Sequence, residues 1–132
     1  MRQVDRGLSR LFLFDLSNLG KQFITCCENG HWRTWDATVR YSEYELPRLY
    51  SSHQCLPNGI LPSHAGLMKD GSMVVLVAGS DLYFCASGNG EILQHIPDAT
   101  VSTINGIAIS PDGQYIATVV DSVKRIAVWA AP

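Results

Sequence analysis

The chain repeats itself, and that repeat narrows the possible folds more than any single motif. Residues 11–36 read LFLFDLSNLGKQFITCCENGHWRTWD and residues 104–129 read INGIAISPDGQYIATVVDSVKRIAVW. With Gly20 set on Gly113, Leu16-Ser17 falls on Ile109-Ser110, Phe23-Ile24-Thr25 on Ile116-Ala117-Thr118, and Glu28 on Asp121. One extra residue in the second turn then brings Trp35 onto Trp129. The offset is 93 residues, 113 minus 20. That is about two periods of a unit of roughly 40–45 residues, so a third copy is expected between them. Lys69-Asp70-Gly71-Ser72 supplies its turn, Met73 to Gly79 and Leu82 to Ala86 its next two strands, and Gly88-Asn89-Gly90 leads into a further strand from Glu91 to Ile96.

Each copy reads as an antiparallel meander. Short runs of apolar, β-branched and aromatic residues are cut by turn residues at the spacing of hairpins. Asn29-Gly30 is the strongest such signal, because both residues tolerate the positive φ of a two-residue turn. No stretch carries a helical period long enough to compete. The expected class is all-β, built from four-stranded units.

Four-stranded units at this period, ending in Trp35-Asp36 or a variant of it, resemble the blades of WD40 β-propellers. The resemblance implies a partial propeller of about three blades, at about residues 11–50, 65–97 and 100–130, after an unassigned segment 1–10. Val39, Tyr41, Tyr44 and Leu46 alternate well enough to supply an outer strand for the first blade. Pro47, Pro57, Asn58-Gly59 and Pro62 then make residues near 51–64 a long loop. Ordinary propellers have roughly 4–8 blades, so three are expected to be completed by further blades or by another chain. Within these residues the third blade is expected to lack an outer strand after Arg125 to Ala130, and so to present an open edge.

In WD40 blades a threonine hydroxyl, the indole N–H of the tryptophan and an acidic turn residue form a buried hydrogen-bonded cluster. By that resemblance the clusters here are Thr25, Asn29, Trp35 and Asp36 in the first blade, and Thr118, Asp121 and Trp129 in the third. The usual Gly-His dipeptide is missing, and Cys85 stands where the middle blade would carry its tryptophan. Buried polar groups need partners, so these departures are expected to weaken individual blades.

The run Phe23 to Thr38, followed by Tyr41 and Tyr44, is similar to a C-terminal blade of the transducin beta-like protein 2 family, whose pattern reads Asp-Gly-Thr-Trp-Lys-Leu-Trp-Asp. Asn29-Gly30-His31-Trp32-Arg33-Thr34-Trp35-Asp36 departs from it at four of eight places, Asn29, His31, Arg33 and Thr34. The similarity implies a scaffold associated with the endoplasmic-reticulum membrane, facing the cytosol. It would bind a stress-sensing kinase of the unfolded-protein response, with its anchor N-terminal to the residues present here. Tyr41, Tyr44, Arg48 and Tyr50 are of the types enriched at interface hot spots. They form a candidate partner surface, the competing reading being packing on an outer strand.

Charge and cysteine usage bear on the alternatives. A net charge of −2 provides no basic stripe for nucleic acid, which counts against a subunit of an RNA-processing complex. The four cysteines, Cys26, Cys27, Cys55 and Cys85, have no framework spacing and suit reduced thiols in a cytosol-like compartment. The longest apolar run, Met73 to Gly79, is far short of the roughly 20 residues of a membrane span. His53, Cys55 and His64 do not have the spacing of a known zinc site. No phosphate loop or nucleophile elbow occurs. The expected function is therefore a non-catalytic interaction module without cofactor, the alternative being a truncated propeller with no function of its own.

Overall fold

The computed structural model of the 132-residue chain describes residues 11–16, 22–27, 31–36, 48–54, 56–57 and 60–132. These residues form three antiparallel sheets. The first has the order β1-β2-β3-β4, with β1 Leu11–Leu16, β2 Gln22–Cys27, β3 His31–Asp36 and β4 Arg48–Gln54. The second has β5 His64–Met68, β6 Met73–Ala78, β7 Asp81–Ala86 and β8 Ile92–Ile96, in sequence order. The third is three-stranded, with β9 Gly106–Ile109, β10 Tyr115–Val120 and β11 Arg125–Ala130. The protein is all-β, with single 3-10 turns at Lys69–Gly71 and Asp121–Val123.

Register confirms the repeat residue by residue. Phe23 pairs with Trp35, Val74 with Cys85 and Ile116 with Trp129, each first member lying three residues after its turn glycine. The sheets stand side by side, with β5 packed against both β1 and β9. The innermost strands therefore neighbour one another, as in the blades of a propeller.

Burial follows from this stacking. One core lies between the first two sheets and contains Ile24, Cys26, Trp32, Leu67, Val74, Leu76, Tyr83 and Cys85. A second lies between the second and third sheets and contains Met73, Val75, Val77, Leu82, Phe84 and Ile116. Alternate residues of β6 and β7 go to opposite cores, because side chains on a strand alternate between faces. This is why Met73 to Val77 reads as an unbroken apolar run rather than an alternation.

One sequence expectation is corrected. Residues 51–64 were expected to be loop, but β4 runs through Gln54 and pairs with all of β3. Ser51 matches Thr34, and their hydroxyls lie 2.6 Å apart. Leu56, just after the strand, is buried in the first core. Polar Ser51 and Ser52 look loop-like in isolation, but they satisfy the edge of β3 with backbone groups that every residue carries. The alternative outer strand around Val39 to Leu46 lies outside the described residues.

The turns interlock at one end of the blades. The Lys69 N–H donates to the Gly113 carbonyl at 3.1 Å. Gly113 has φ +71°, and a Cβ there would sit 2.6 Å from the Lys69 backbone nitrogen. Both the positive φ and the close approach call for glycine.

Candidate interaction surface

The tryptophan clusters are the first features that the strands position. In the first sheet Trp35 Nε1 donates to Thr25 Oγ1 at 2.9 Å, and both residues are buried. Phe23 stacks on the same indole, with ring centroids 6.1 Å apart. In the third sheet Trp129 Nε1 donates to Thr118 Oγ1 at 3.1 Å. Asp36 ends β3, paired to Gln22 and Arg48. Asp121 is exposed in its 3-10 turn, and its backbone N–H donates to Asn105 Oδ1 at 2.7 Å. Asn29 lies outside the described residues.

The middle sheet replaces both partners of the pair. Leu76 stands at the threonine position and Cys85 at the tryptophan position, and both are buried in the first core. Replacing donor and acceptor together leaves no orphaned polar atom, which is far less costly than removing one. The expectation that the missing Gly-His dipeptide and Cys85 weaken individual blades took no account of Leu76.

Of the candidate partner residues, Tyr50 is described with its side chain. It is 57% exposed, beside Leu49 at 51%. It sits where the β3–β4 register shifts, between Leu49 opposite Trp35 and Ser51 opposite Thr34. Tyr50 also lines a cleft of about 140 Å³ between the first two blades, with Gln22, Thr34, Ser51, Gly71 and Ser87. Arg48 is described only as the first residue of β4, and Tyr41 and Tyr44 lie outside the described residues.

Two histidine arrangements escaped the sequence reading. His53, on β4, has its ring 4.7 Å from that of Trp32 and its Nε2 3.0 Å from the Ser87 carbonyl of the second blade. It lies where a Cβ on Gly90 would come within 2.7 Å of the ring. The residue thus ties an outer strand to the next blade's hairpin. His95 stacks on Tyr83 at 4.1 Å and approaches Asp81 Oδ2 at 3.2 Å. Asp81 Oδ1 accepts the Asp98 N–H at 2.8 Å. That backbone donor, with His95 second, holds the Asp81 carboxyl below the usual carboxylate range, while burial pushes the Tyr83 hydroxyl up. Only the third dimension brings these residues together, so no local pattern announced them.

Of the residues weighed for zinc, His53 is engaged as above, His64 Nδ1 lies 3.1 Å from Ser63 Oγ, and Cys55 is outside the described residues. Among the described residues no cluster of His, Cys, Asp and Glu could hold a metal ion. Cys26 and Cys85 are reduced cysteines buried in the first core. Among the described residues no helix is long and apolar enough to cross a membrane.

Comparison with known proteins is consistent with this geometry. No protein-family model matches the chain. Among curated proteins it is similar to transducin beta-like protein 2 of Mus musculus, 20% identical over 113 residues, 86% of this chain and 26% of that protein. Among solved structures it superposes on the β-propeller domain of Cps50 (Swd1) from Myceliophteria thermophila, with a TM-score of 0.76 at 17% identity. That match covers 99% of this chain and 40% of the propeller chain. The chain thus spans about a quarter of the curated relative and two-fifths of the solved propeller. At these identities the likeness is one of fold. Three stacked meanders, neighbouring inner strands and indole–threonine pairs at the repeat positions lead to one description: the chain folds as three consecutive blades of a WD40-type β-propeller.

Proposed function

We propose that the chain is a non-catalytic protein-interaction scaffold that meets partners through its outer strands. The observation that supports this most directly is the large apolar side chains in solvent there, Leu49 and Tyr50 on β4 and Ile92 and Leu93 on β8. Tyrosine offers broad contact area at little entropic cost and is enriched at hot spots. Tyr50 moreover borders a cleft into which a partner side chain can reach.

The finer reading follows from the sequence resemblance to the transducin beta-like protein 2 family. In it, the protein faces the cytosol at the endoplasmic-reticulum membrane, held by an anchor outside these residues, and engages a stress-sensing kinase of the unfolded-protein response. Co-precipitation of the full-length protein with that kinase, before and after stress, tests it. Tyr50→Ala is expected to weaken the association about tenfold or more, as a hot-spot truncation does. Absence of the kinase from both samples would remove the finer reading. An unchanged set of partners with Tyr50→Ala and Leu49→Ser combined would remove the outer strands as the binding surface.

A further inference from the structure

The sequence holds four Asn-Gly dipeptides, at 29–30, 58–59, 89–90 and 105–106. The first two lie outside the described residues. Asn-Gly is the pair in which asparagine most readily loses its amide, because glycine lets the following backbone nitrogen come close to the side-chain carbon. The glycine nitrogen attacks Asn Cγ, the Cγ–Nδ2 bond breaks and ammonia leaves. Water then opens the succinimide ring at either carbonyl. One opening gives aspartate, and the other gives isoaspartate, in which the main chain runs through the former side chain.

The β7–β8 turn meets most of what this reaction needs. Asn89 is exposed, so water reaches it. Its Oδ1 accepts the Glu91 N–H at 2.9 Å, which folds the carboxamide back along the Gly90 peptide and polarises the carbonyl that is attacked. The Gly90 N–H donates to the Ala86 carbonyl at 2.9 Å, so the nucleophile is occupied while the turn stays closed. Asn105 differs. Its Oδ1 accepts the N–H of Asp121, 16 positions away, at 2.7 Å, and the carboxamide is drawn toward another turn.

The contact that holds the Asn89 turn closed comes from the first blade. His53 Nε2 donates to the Ser87 carbonyl at 3.0 Å, and its ring lies where a Cβ on Gly90 would come within 2.7 Å. Trp32 backs that ring at 4.7 Å. We propose that Asn89 is a site of spontaneous modification, gated by the His53 contact between the first two blades, and that isoaspartate formed there breaks the contact. Each opening of the turn exposes the Gly90 N–H and lets the ring close. Isoaspartate then lengthens the main chain before Gly90 by one methylene, at a place where one added carbon already meets His53. The rearranged turn cannot seat against the imidazole, so the change loosens the two blades where they touch.

Peptide mapping that separates asparagine, aspartate and isoaspartate, on the full-length protein aged at mildly alkaline pH, tests the site. Asn89 is expected to convert about tenfold or more slowly than in a synthetic peptide copying residues 86–92, because only the open fraction reacts. His53→Ala is expected to speed Asn89 about fivefold, the factor that one net hydrogen bond is worth, and to leave Asn105 unchanged. His53→Gln, which keeps a side-chain N–H at similar reach, should restore most of the protection. Conversion of Asn89 as fast as in the peptide, or at a rate that His53→Ala does not alter, would overturn the proposal. So would equal acceleration at Asn105, because the gate would then be loss of the fold. In the fraction that carries isoaspartate, the β4 amides are expected to exchange about fivefold faster than in unmodified protein. Equal exchange in the two fractions would show that the modification leaves the contact intact, against the proposal.

Discussion

Among the described residues, the β5–β8 sheet is covered by a neighbouring sheet on each face, whereas the β9–β11 sheet is covered on one. In the middle sheet Val74, Val75, Leu76, Val77, Leu82 and Phe84 are all without solvent contact. In the third sheet Ile116 and Thr118 are buried toward the second blade, while Tyr115, Ile126 and Val128 of the other face stand in water. Similar strands thus meet different solvents. Burial contributes roughly 25 cal/mol per Å², so stability in this stack belongs to the interfaces between blades more than to the blades themselves. A second contrast follows. The sheet with two partners carries Leu76 and Cys85, whereas the flanking sheets carry polar indole–threonine pairs. Where packing is continuous on both sides, an apolar pair fills the place of a hydrogen bond.

The largest expected effect tests the first contrast directly. Phe84→Ala removes a ring from the second core and is expected to cost about 3–5 kcal/mol. Val128→Ala, on the open face, should stay within about 0.5 kcal/mol. Urea unfolding of the two variants beside the parent protein measures both. Comparable losses would mean that the open face is covered in solution, and the comparison would fail.

Next in size is the interlocked turn between the second and third blades. Gly113→Ala places a side chain at positive φ, at about 1–2 kcal/mol. It also drives a Cβ into the Lys69 backbone, adding about 1–3 kcal/mol. Gly79→Ala, at φ +62° with nothing within 4 Å of the new Cβ, carries the first cost alone. The difference between these two variants in thermal or urea unfolding reports the contact between blades, and equal losses would show that the turns do not lock.

The polar pairs provide a smaller and sharper test. Thr25→Val leaves the Trp35 indole N–H buried without its acceptor and is expected to cost about 1–3 kcal/mol. Adding Trp35→Phe should recover part of that loss, because the orphaned donor goes as well. Leu76→Thr in the middle blade buries a hydroxyl where no indole waits and should be destabilising by about 1–3 kcal/mol. If Leu76→Thr were neutral, the apolar pair would not be the middle blade's equivalent of the hydrogen bond.

The smallest effect is in acid. The Asp98 N–H and His95 hold Asp81 below its ordinary pKa in the folded protein. The stability this contributes is full above the unfolded carboxylate value of about 3.9, and it is lost as pH falls through the lower folded value. Asp81→Asn should therefore shift the urea midpoint downward near neutrality and converge on the parent protein in acid. A gap between the two that widened as pH fell would reverse the sign and remove the Asp98 contact as its cause.

Much of this architecture was legible from residue types and short spacings. Hairpin neighbours find each other through turns only a few residues long, so Ser110-Pro111-Asp112-Gly113 announced β9 and β10, and Gly88-Asn89-Gly90 announced β7 and β8. In the structure Asp112 Oδ1 accepts from Ser110 Oγ and from the Gln114 N–H, a local arrangement that needs no other blade. The outer strand β4 was misplaced because its partner edge is non-local. Pairing of an edge strand is decided by which backbone reaches it, and Arg48–Gln54 carries no apolar alternation to mark it. The candidate surface was less legible still: Tyr50 could be named as a type, but its exposure depends on the bulge opposite Trp35.

The sequence alone determined the repeat, the turn glycines, the all-β class and the threonine and tryptophan positions, because each is written in local conformational preference and periodicity. Only the tertiary structure decided which faces are covered, since the same alternating strand is core or surface according to whether a neighbour stands against it. It also decided that Leu76 and Cys85 share the first core, that His53 reaches Ser87, and that Lys69 donates to Gly113. The last two contacts join residues 34 and 44 positions apart (87 minus 53, 113 minus 69). The stacking of blades sets them, and no local preference specifies either.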